Sequence, residues 1–410
     1  MAGILRNKKR VFITTNGCNR RSLDSARLEN FFKLNDCVIV KTEETADYIV
    51  FVTCSFEKSK EEECLREINK FLKCKGELII VGCLPDISPN SLKEVFNGKV
   101  IETRNLGQID ALFDDFKVGF NSVADAHFQY KARVPLLQRL VLKFALIKEF
   151  FKKCLIYKAM LRKALTPRFI SRYIKPKARK ALLRVSYGCM ERCAYCTISR
   201  AIGRLKSKRI DECVREYSVL LKQGYRDFDL IADNLGAYGL DSGSTFPELL
   251  QSLSEADKGL SVRWVLYTLD PRWAIKYNDF LSKYIAEGKI VHIICPIQSG
   301  SNRILELMNR HYSIEEIGQV LNTFRKLQPK LFLDTHLIFG FPSETEKDFL
   351  ASLSAVKTMR FDVAVLFPYY DGYDSISSGM SNKIREEMIR SRVRQASDFL
   401  QSEGIRCVSL

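Results

Sequence analysis

The sequence predicts an α/β protein made of a parallel-sheet domain followed by a barrel of β/α units. Three observations carry this reading. Short apolar runs alternate with helical stretches over the first 115 residues, a basic stretch rich in Leu and Phe then interrupts them, and the alternation resumes at residue 181. Continuous apolar strands separated by helices belong to parallel sheets that are covered on both faces.

Taken in order, RVFITT (10–15) reads as a buried strand and SLDSARLENFFKL (22–34) as an amphipathic helix. ADYIVFVT (46–53) is a second buried strand, EKSKEEECLREINKFLK (57–73) a helix, and ELIIVG (77–82) a third strand. From 117 to 180 the pattern becomes helical and basic, punctuated by Pro135, Pro167 and Pro176, as in a linker or insertion. The strands ALLRVSY, FDLIA, VRWVLYT, IVHIICPI, LFLDTHLIFGF and FDVAVLF follow, each with a helix or loop behind it, as in a β/α barrel. The last thirty residues read as one terminal helix, and nothing β-rich is expected after Leu366 to Tyr370. The domains expected are therefore 1–116, a linker or insertion at 117–180, and a barrel with its terminal helix at 181–410.

The 410 residues leave room for two or three domains, and 46% hydrophobic with 28% charged residues is an ordinary globular composition. No apolar run reaches the roughly 18 residues that span a bilayer, and MAGILRNKKR lacks the apolar core of an export signal. A cytoplasmic location is the expectation. The net charge of +17 suggests a nucleic-acid binder until it is located along the chain. Residues 131 to 180 hold 16 Lys or Arg against one acid, Glu149, so the rest of the chain is nearly neutral. That segment can bind phosphates, lie on an anionic membrane surface, or cover the protein's own apolar surface while its cations reach water. Thirteen cysteines, an odd number with no export signal, fit metal or redox chemistry better than disulfides.

Two groups of cysteines stand out. Cys189, Cys193 and Cys196 lie on one short loop after ALLRVSY. Three thiolates at these spacings reach three irons of a [4Fe–4S] cube and leave the fourth iron open to a cofactor. A zinc site would recruit a fourth ligand, and the nearest candidate, Cys213, falls in a helical pattern. Cys18, Cys54 and Cys83 each follow a predicted strand of the first domain. In a parallel sheet those strand ends share one edge, where open α/β folds bind ligands. The alternative is three small buried residues, as expected of Cys37, Cys64 and Cys74, which do not share that position.

The loop YGCMERCAYC (187–196), with Tyr195 at its aromatic position, resembles the radical S-adenosylmethionine superfamily. With NGC (16–18), VTC (52–54), VGCLP (81–85), AYG (237–239), PIQSGSNRILELMNR (296–310) and FGFPSETEKDF (339–349), the chain resembles the methylthiotransferase family within it. The resemblance implies a flavodoxin-like N-terminal domain with an auxiliary [4Fe–4S] cluster on Cys18, Cys54 and Cys83. It also implies a radical SAM partial (β/α) barrel with a second cluster on Cys189, Cys193 and Cys196. In such enzymes S-adenosylmethionine is cleaved to a radical that removes hydrogen from an unactivated C–H bond, and sulfur and a methyl group follow. The implied cofactor contacts are Tyr195, Asp233, Asn234, Gln298 and Ser299, each polar member of which has an ordinary structural hydrogen bond as its alternative. His292 and His336 fall on strands that should line the barrel.

The implied partners are a flavodoxin- or ferredoxin-type electron donor and a tRNA nucleoside substrate. The chain departs from the family in three places that bear on the substrate: no C-terminal TRAM β-barrel is expected; within the barrel His336 stands where an aspartate is common and DGYDSIS (371–377) replaces the usual turn; and the basic insertion between the domains is longer than the family's. They leave open a TRAM-less enzyme forming C–S bonds on a small molecule or peptide, and, from another class, a non-catalytic iron–sulfur or RNA-binding protein.

Overall fold

In a computed structural model the described residues are 8–130, 180–372 and 374–409. Most of the basic insertion therefore lies outside them. The first sheet contains β1 (Arg10–Thr15), β2 (Val38–Ile39), β3 (Tyr48–Thr53), β4 (Glu77–Gly82) and β5 (Lys99–Glu102), in the order β2-β1-β3-β4-β5 and all parallel. Its three central strands are those read from the sequence. The helices Asn19–Leu34 and Lys58–Phe71 bury Phe31, Phe32, Ile68 and Phe71 against it. The short edge strands β2 and β5 lack the long apolar runs that mark doubly covered strands. Phe120 and Val123 join the same core, so the chain just beyond 117 packs on the first sheet.

The second sheet has seven parallel strands: β6 (Lys180–Arg184), β9 (Asp227–Ile231), β10 (Arg263–Tyr267), β11 (Ile290–Ile294), β12 (Phe332–Phe339), β13 (Val363–Pro368) and β14 (Arg406–Ser409). It curves into an open barrel whose outer face packs on helices. Burial alternates strictly along β12, as expected when one face meets the helices and the other the lumen. The run ALLRVSY is interrupted at Val185, whose N–H bonds to Ile231, and continues as β7 (Ser186–Tyr187), antiparallel to β8 (Lys206–Ser207).

The expectation of one terminal helix with no strand after it is corrected. The helix Glu386–Ser402 stops before Gly404 (φ +78°), and β14 then pairs with β13 at the sheet edge. Among the described residues no helix is long and apolar enough to cross a membrane.

The first domain closes over the lumen mouth. Leu23 of its helix Asn19–Leu34 packs on Leu182 of β6 and Ile231 of β9. Beside it Arg184 donates to Asp24 (2.6 Å) and to the Arg20 carbonyl (2.9 Å), Arg184 and Asp24 both being buried. A buried guanidinium needs such partners, so these contacts fix how the two domains meet.

Candidate active site

The first cysteine group is assembled by the sheet. β1, β3 and β4 are adjacent and parallel, so Cys18, Cys54 and Cys83 leave one edge together. Asn16 accepts the Cys54 N–H (3.1 Å), and the Cys83 N–H bonds to the Thr53 carbonyl (3.1 Å). The turn into Cys83 requires glycine. Gly82 has φ +116°, and a Cβ there would lie 2.5 Å from the Thr53 oxygen. A hydrogen bond from Cys54, with Arg20 and Arg21 behind it, holds the Cys18 thiol well below the ordinary thiol range. That same contact, with burial, raises Cys54, and burial raises Cys83. The Arg21 side chain is buried with Nη1 unpartnered among the described residues. A cluster sulfide would satisfy that donor.

Cys37 packs in the N-terminal core and Cys74 lies near the end of a helix, neither with the trio. Cys64 is nearer: its thiol donates to the Cys54 carbonyl (3.2 Å) and accepts from Asn16 (3.2 Å). It buttresses the loops from behind.

The second group lies on the loop after β7. Gly188 has φ +72°, and a Cβ would fall 2.1 Å from the Arg204 carbonyl of the β7–β8 hairpin. The Cys189 N–H bonds to Gly203 (3.1 Å), and the loop is held from the other side by Ala194 N–H to the Met308 carbonyl (2.9 Å). Burial pushes the Cys189 thiol up to about 12 and raises Cys196. Arg310 Nη1 lies 3.6 Å from Cys193 Sγ and 2.6 Å from Asp270. Among the described residues no three donors are close enough to share one metal ion.

The other predicted site residues divide by what they touch. Asn234 Oδ1 and Gln298 Oε1 are buried acceptors without a donor among the described residues, as an ammonium or adenine amine would require. Gln298 is also held at φ +61°, its N–H on the His336 carbonyl (2.8 Å). Asp233 is already engaged, accepting from Gly188 N–H (2.9 Å) and pairing with Arg20 (3.1 Å). Ser299 is fully buried beside Ser352 and accepts the Ser301 N–H (3.2 Å). Tyr195 packs with Ala194, Ile304, Met308 and Phe341. His292 pairs with Asp334 (3.0 Å), while His336 meets Phe367 edge-on at 5.4 Å between centroids.

Sequence reasoning missed the cations. Arg20 spans the domains, touching Cys18 on one side and Asp233 and the Ala232 carbonyl on the other. The pair Arg20–Arg21, one residue after NGC, was visible, as was Arg310 in MNR, but nothing in the spacing showed which way they point. Tyr370, which donates to Glu61 of the first domain (3.1 Å), sits just before the divergent turn 371–377 and carried no signal of its own.

Residues 10–101 match the model of the uncharacterized protein family UPF0004, and residues 183–356 that of the Radical SAM superfamily. A tRNA-2-methylthio-N(6)-dimethylallyladenosine synthase of Clostridium botulinum (strain Okra / Type B1) is 30% identical over 388 residues, 93% of this chain and 79% of that protein. A probable threonylcarbamoyladenosine tRNA methylthiotransferase of Archaeoglobus fulgidus is 27% identical over 97% of this chain and 84% of its own length. Among solved structures, the radical S-adenosylmethionine methyltransferase TsrM of Kitasatospora setae shares the fold, with a TM-score of 0.57 at 12% identity over 88% of this chain and 73% of that one.

Proposed function

The chain belongs to the radical S-adenosylmethionine methylthiotransferase family and is an enzyme, and from that premise we propose that it transfers a methylthio group to a modified adenosine of tRNA. Both relatives are named for tRNA adenosines that already carry a substituent, which supports this substrate class. The observation that carries the reading is the pair of cysteine trios, one at the C-terminal edge of each sheet, with Arg20 reaching from Cys18 to the Asp233 that holds Gly188. Each trio holds one [4Fe–4S] cluster in this reading, the family's cofactor together with S-adenosylmethionine. When bound, these groups supply the radical that removes hydrogen, the sulfur and the methyl group.

The chain's own residues position and exclude. Arg20 and Asp233 keep the two loops in register across the domain boundary. Asn234 and Gln298 offer acceptors to S-adenosylmethionine, and Arg310 donates toward Cys193. Phe367 meets Phe56 of the first domain edge-on (6.0 Å) and His336 edge-on (5.4 Å), an aromatic contact that seals one side of the domain boundary. A flavodoxin- or ferredoxin-type protein is the electron donor, and the cytosol the compartment. The test is mass spectrometry of tRNA nucleosides from cells with and without the protein. A methylthiolated adenosine lost on deletion and restored by the intact chain, but not by Cys18→Ala, is expected. An unchanged nucleoside profile refutes the tRNA assignment.

A further inference from the structure

Between the two domains runs a cleft of about 970 Å³ that shares Arg21, Gly188 and Asp233 with the site described above. One wall is the first domain, with Arg27 and Arg104. The other is the β7–β8 hairpin and the start of the following helix, with Arg204, Lys206 and Arg209. Eight Lys or Arg line it against four Asp or Glu, although the described chain outside the basic insertion is close to neutral. Several of these cations are committed: Arg104 pairs with Asp86 (3.0 Å) and Arg209 with Asp211 (2.8 Å). Arg204 and Lys206 are exposed and have no ion-pair or side-chain hydrogen-bond partner among the described residues. Two unneutralised cations two residues apart repel each other, an arrangement that an anionic ligand relieves.

The inner end of the cleft is formed by Gly188 and Asp233, the junction that precedes Cys189. A nucleoside delivered to a lumen closed by the first domain must have its flanking phosphates led out to solvent. The cleft offers that route, lined with the opposite charge. We propose that this cleft seats the phosphodiester backbone of the RNA beside the reacting nucleoside, with Arg204 and Lys206 as its phosphate contacts. This rests on the tRNA reading above. A concave trough with cations on both walls, and with Asn121 and Ser122 exposed beside Arg27, suits a polynucleotide strand better than the convex face of a folded protein.

The hairpin also ties binding to the radical loop. Gly203, next to Arg204, accepts the Cys189 N–H, and the Arg204 carbonyl lies where a Gly188 side chain would be. A phosphate held by Arg204 therefore stiffens the backbone on which Cys189 sits.

The test uses the full chain, anaerobically reconstituted, with unfractionated tRNA, and follows the dissociation constant from 50 to 300 mM KCl. Each lost phosphate contact removes about 0.7 to 0.9 from the log–log salt slope. The double variant Arg204→Gln/Lys206→Gln should thus flatten the slope by about 1.5 and weaken binding on the order of tenfold near 150 mM salt. Iron content, thermal melting and dithionite-driven S-adenosylmethionine cleavage should match the parent. A control, Lys326→Gln/Lys330→Gln, removes two exposed cations outside the cleft and should change none of these. If the parent binds tRNA and the cleft variant binds it with the same affinity and slope, the inference is overturned. It is equally overturned if the variant keeps tRNA affinity and loses turnover only with a protein electron donor, because the cleft then docks the donor. If the parent itself shows no salt-dependent tRNA binding, the tRNA reading fails and the inference falls with it.

Discussion

Replacing Arg310 tests the reading of the radical loop without touching a cysteine. Arg310 Nη1 lies 3.6 Å from Cys193 Sγ, and its Asp270 partner is 2.6 Å away. An electron added to a cluster on this loop is spread over atoms beyond the sulfur, about 6 Å from the guanidinium. At an effective dielectric of about 20 their attraction is ~2.8 kcal/mol, and Asp270 a few ångströms behind cancels ~1.8 kcal/mol of it. Removing Arg310 alone therefore forfeits ~2.8 kcal/mol, about 120 mV for a one-electron couple, and removing Asp270 alone forfeits ~1.8 kcal/mol of the opposite sign, about 80 mV. Arg310→Gln removes the cation that favours the reduced, more negative cluster, so the midpoint potential should fall, and further if the N–H···S contact counts. Asp270→Asn should raise it, and Arg310→Lys should fall between parent and Gln. The assay is an EPR-monitored redox titration in a background with Cys18, Cys54 and Cys83 changed to Ala, so that one cluster is observed. Potentials that stay within about 10 mV of the parent in both Arg310→Gln and Asp270→Asn, or that move the same way, would refute the reasoning.

Anaerobically reconstituted protein should hold about eight irons, and the triple Ala variant of Cys18, Cys54 and Cys83 about four, with S-adenosylmethionine cleavage kept and sulfur transfer lost. Changing Cys37 or Cys74 should leave iron content alone, whereas Cys64→Ala, which undercuts Asn16 and the Cys54 carbonyl, should make the auxiliary iron more labile to chelators. Gly188→Ala places a methyl group against the Arg204 carbonyl and should halve the iron by disordering the Cys189 loop; a full complement in that variant would contradict the geometry. Burial pushes His336 down to about 4, against Asp334, which raises it, so the unfolded chain takes up a proton below about pH 6.5 that the folded one refuses. Stability should therefore be full above that pH and decline as pH falls toward 4, by at most about 3 kcal/mol, and His336→Gln should flatten the difference in urea midpoint between pH 7 and pH 5.

What the sequence determined by itself was local or periodic. The apolar runs of β1, β3 and β4 could be read because a strand buried on both faces has few other compositions, and the barrel strands because their helix-facing positions are apolar. The cysteines at their ends followed, since parallel pairing sends every strand's C-terminal end to one edge. The short edge strands β2, β5 and β14 escaped because a strand paired on one side need not be apolar, and the terminal helix was drawn too long because Gly404 acts only through its backbone. Composition likewise locates most of the net charge in the insertion. The tertiary structure decided what depends on two distant segments meeting. Arg20 reaches Asp233, Arg184 reaches Asp24, Arg310 reaches Cys193, and Arg204 and Lys206 face Arg27 and Arg104 across a cleft. In each case the residue type was plain in the chain, but a charged side chain acquires its meaning from what lies a few ångströms away, and that is set by how two separately folded sheets dock.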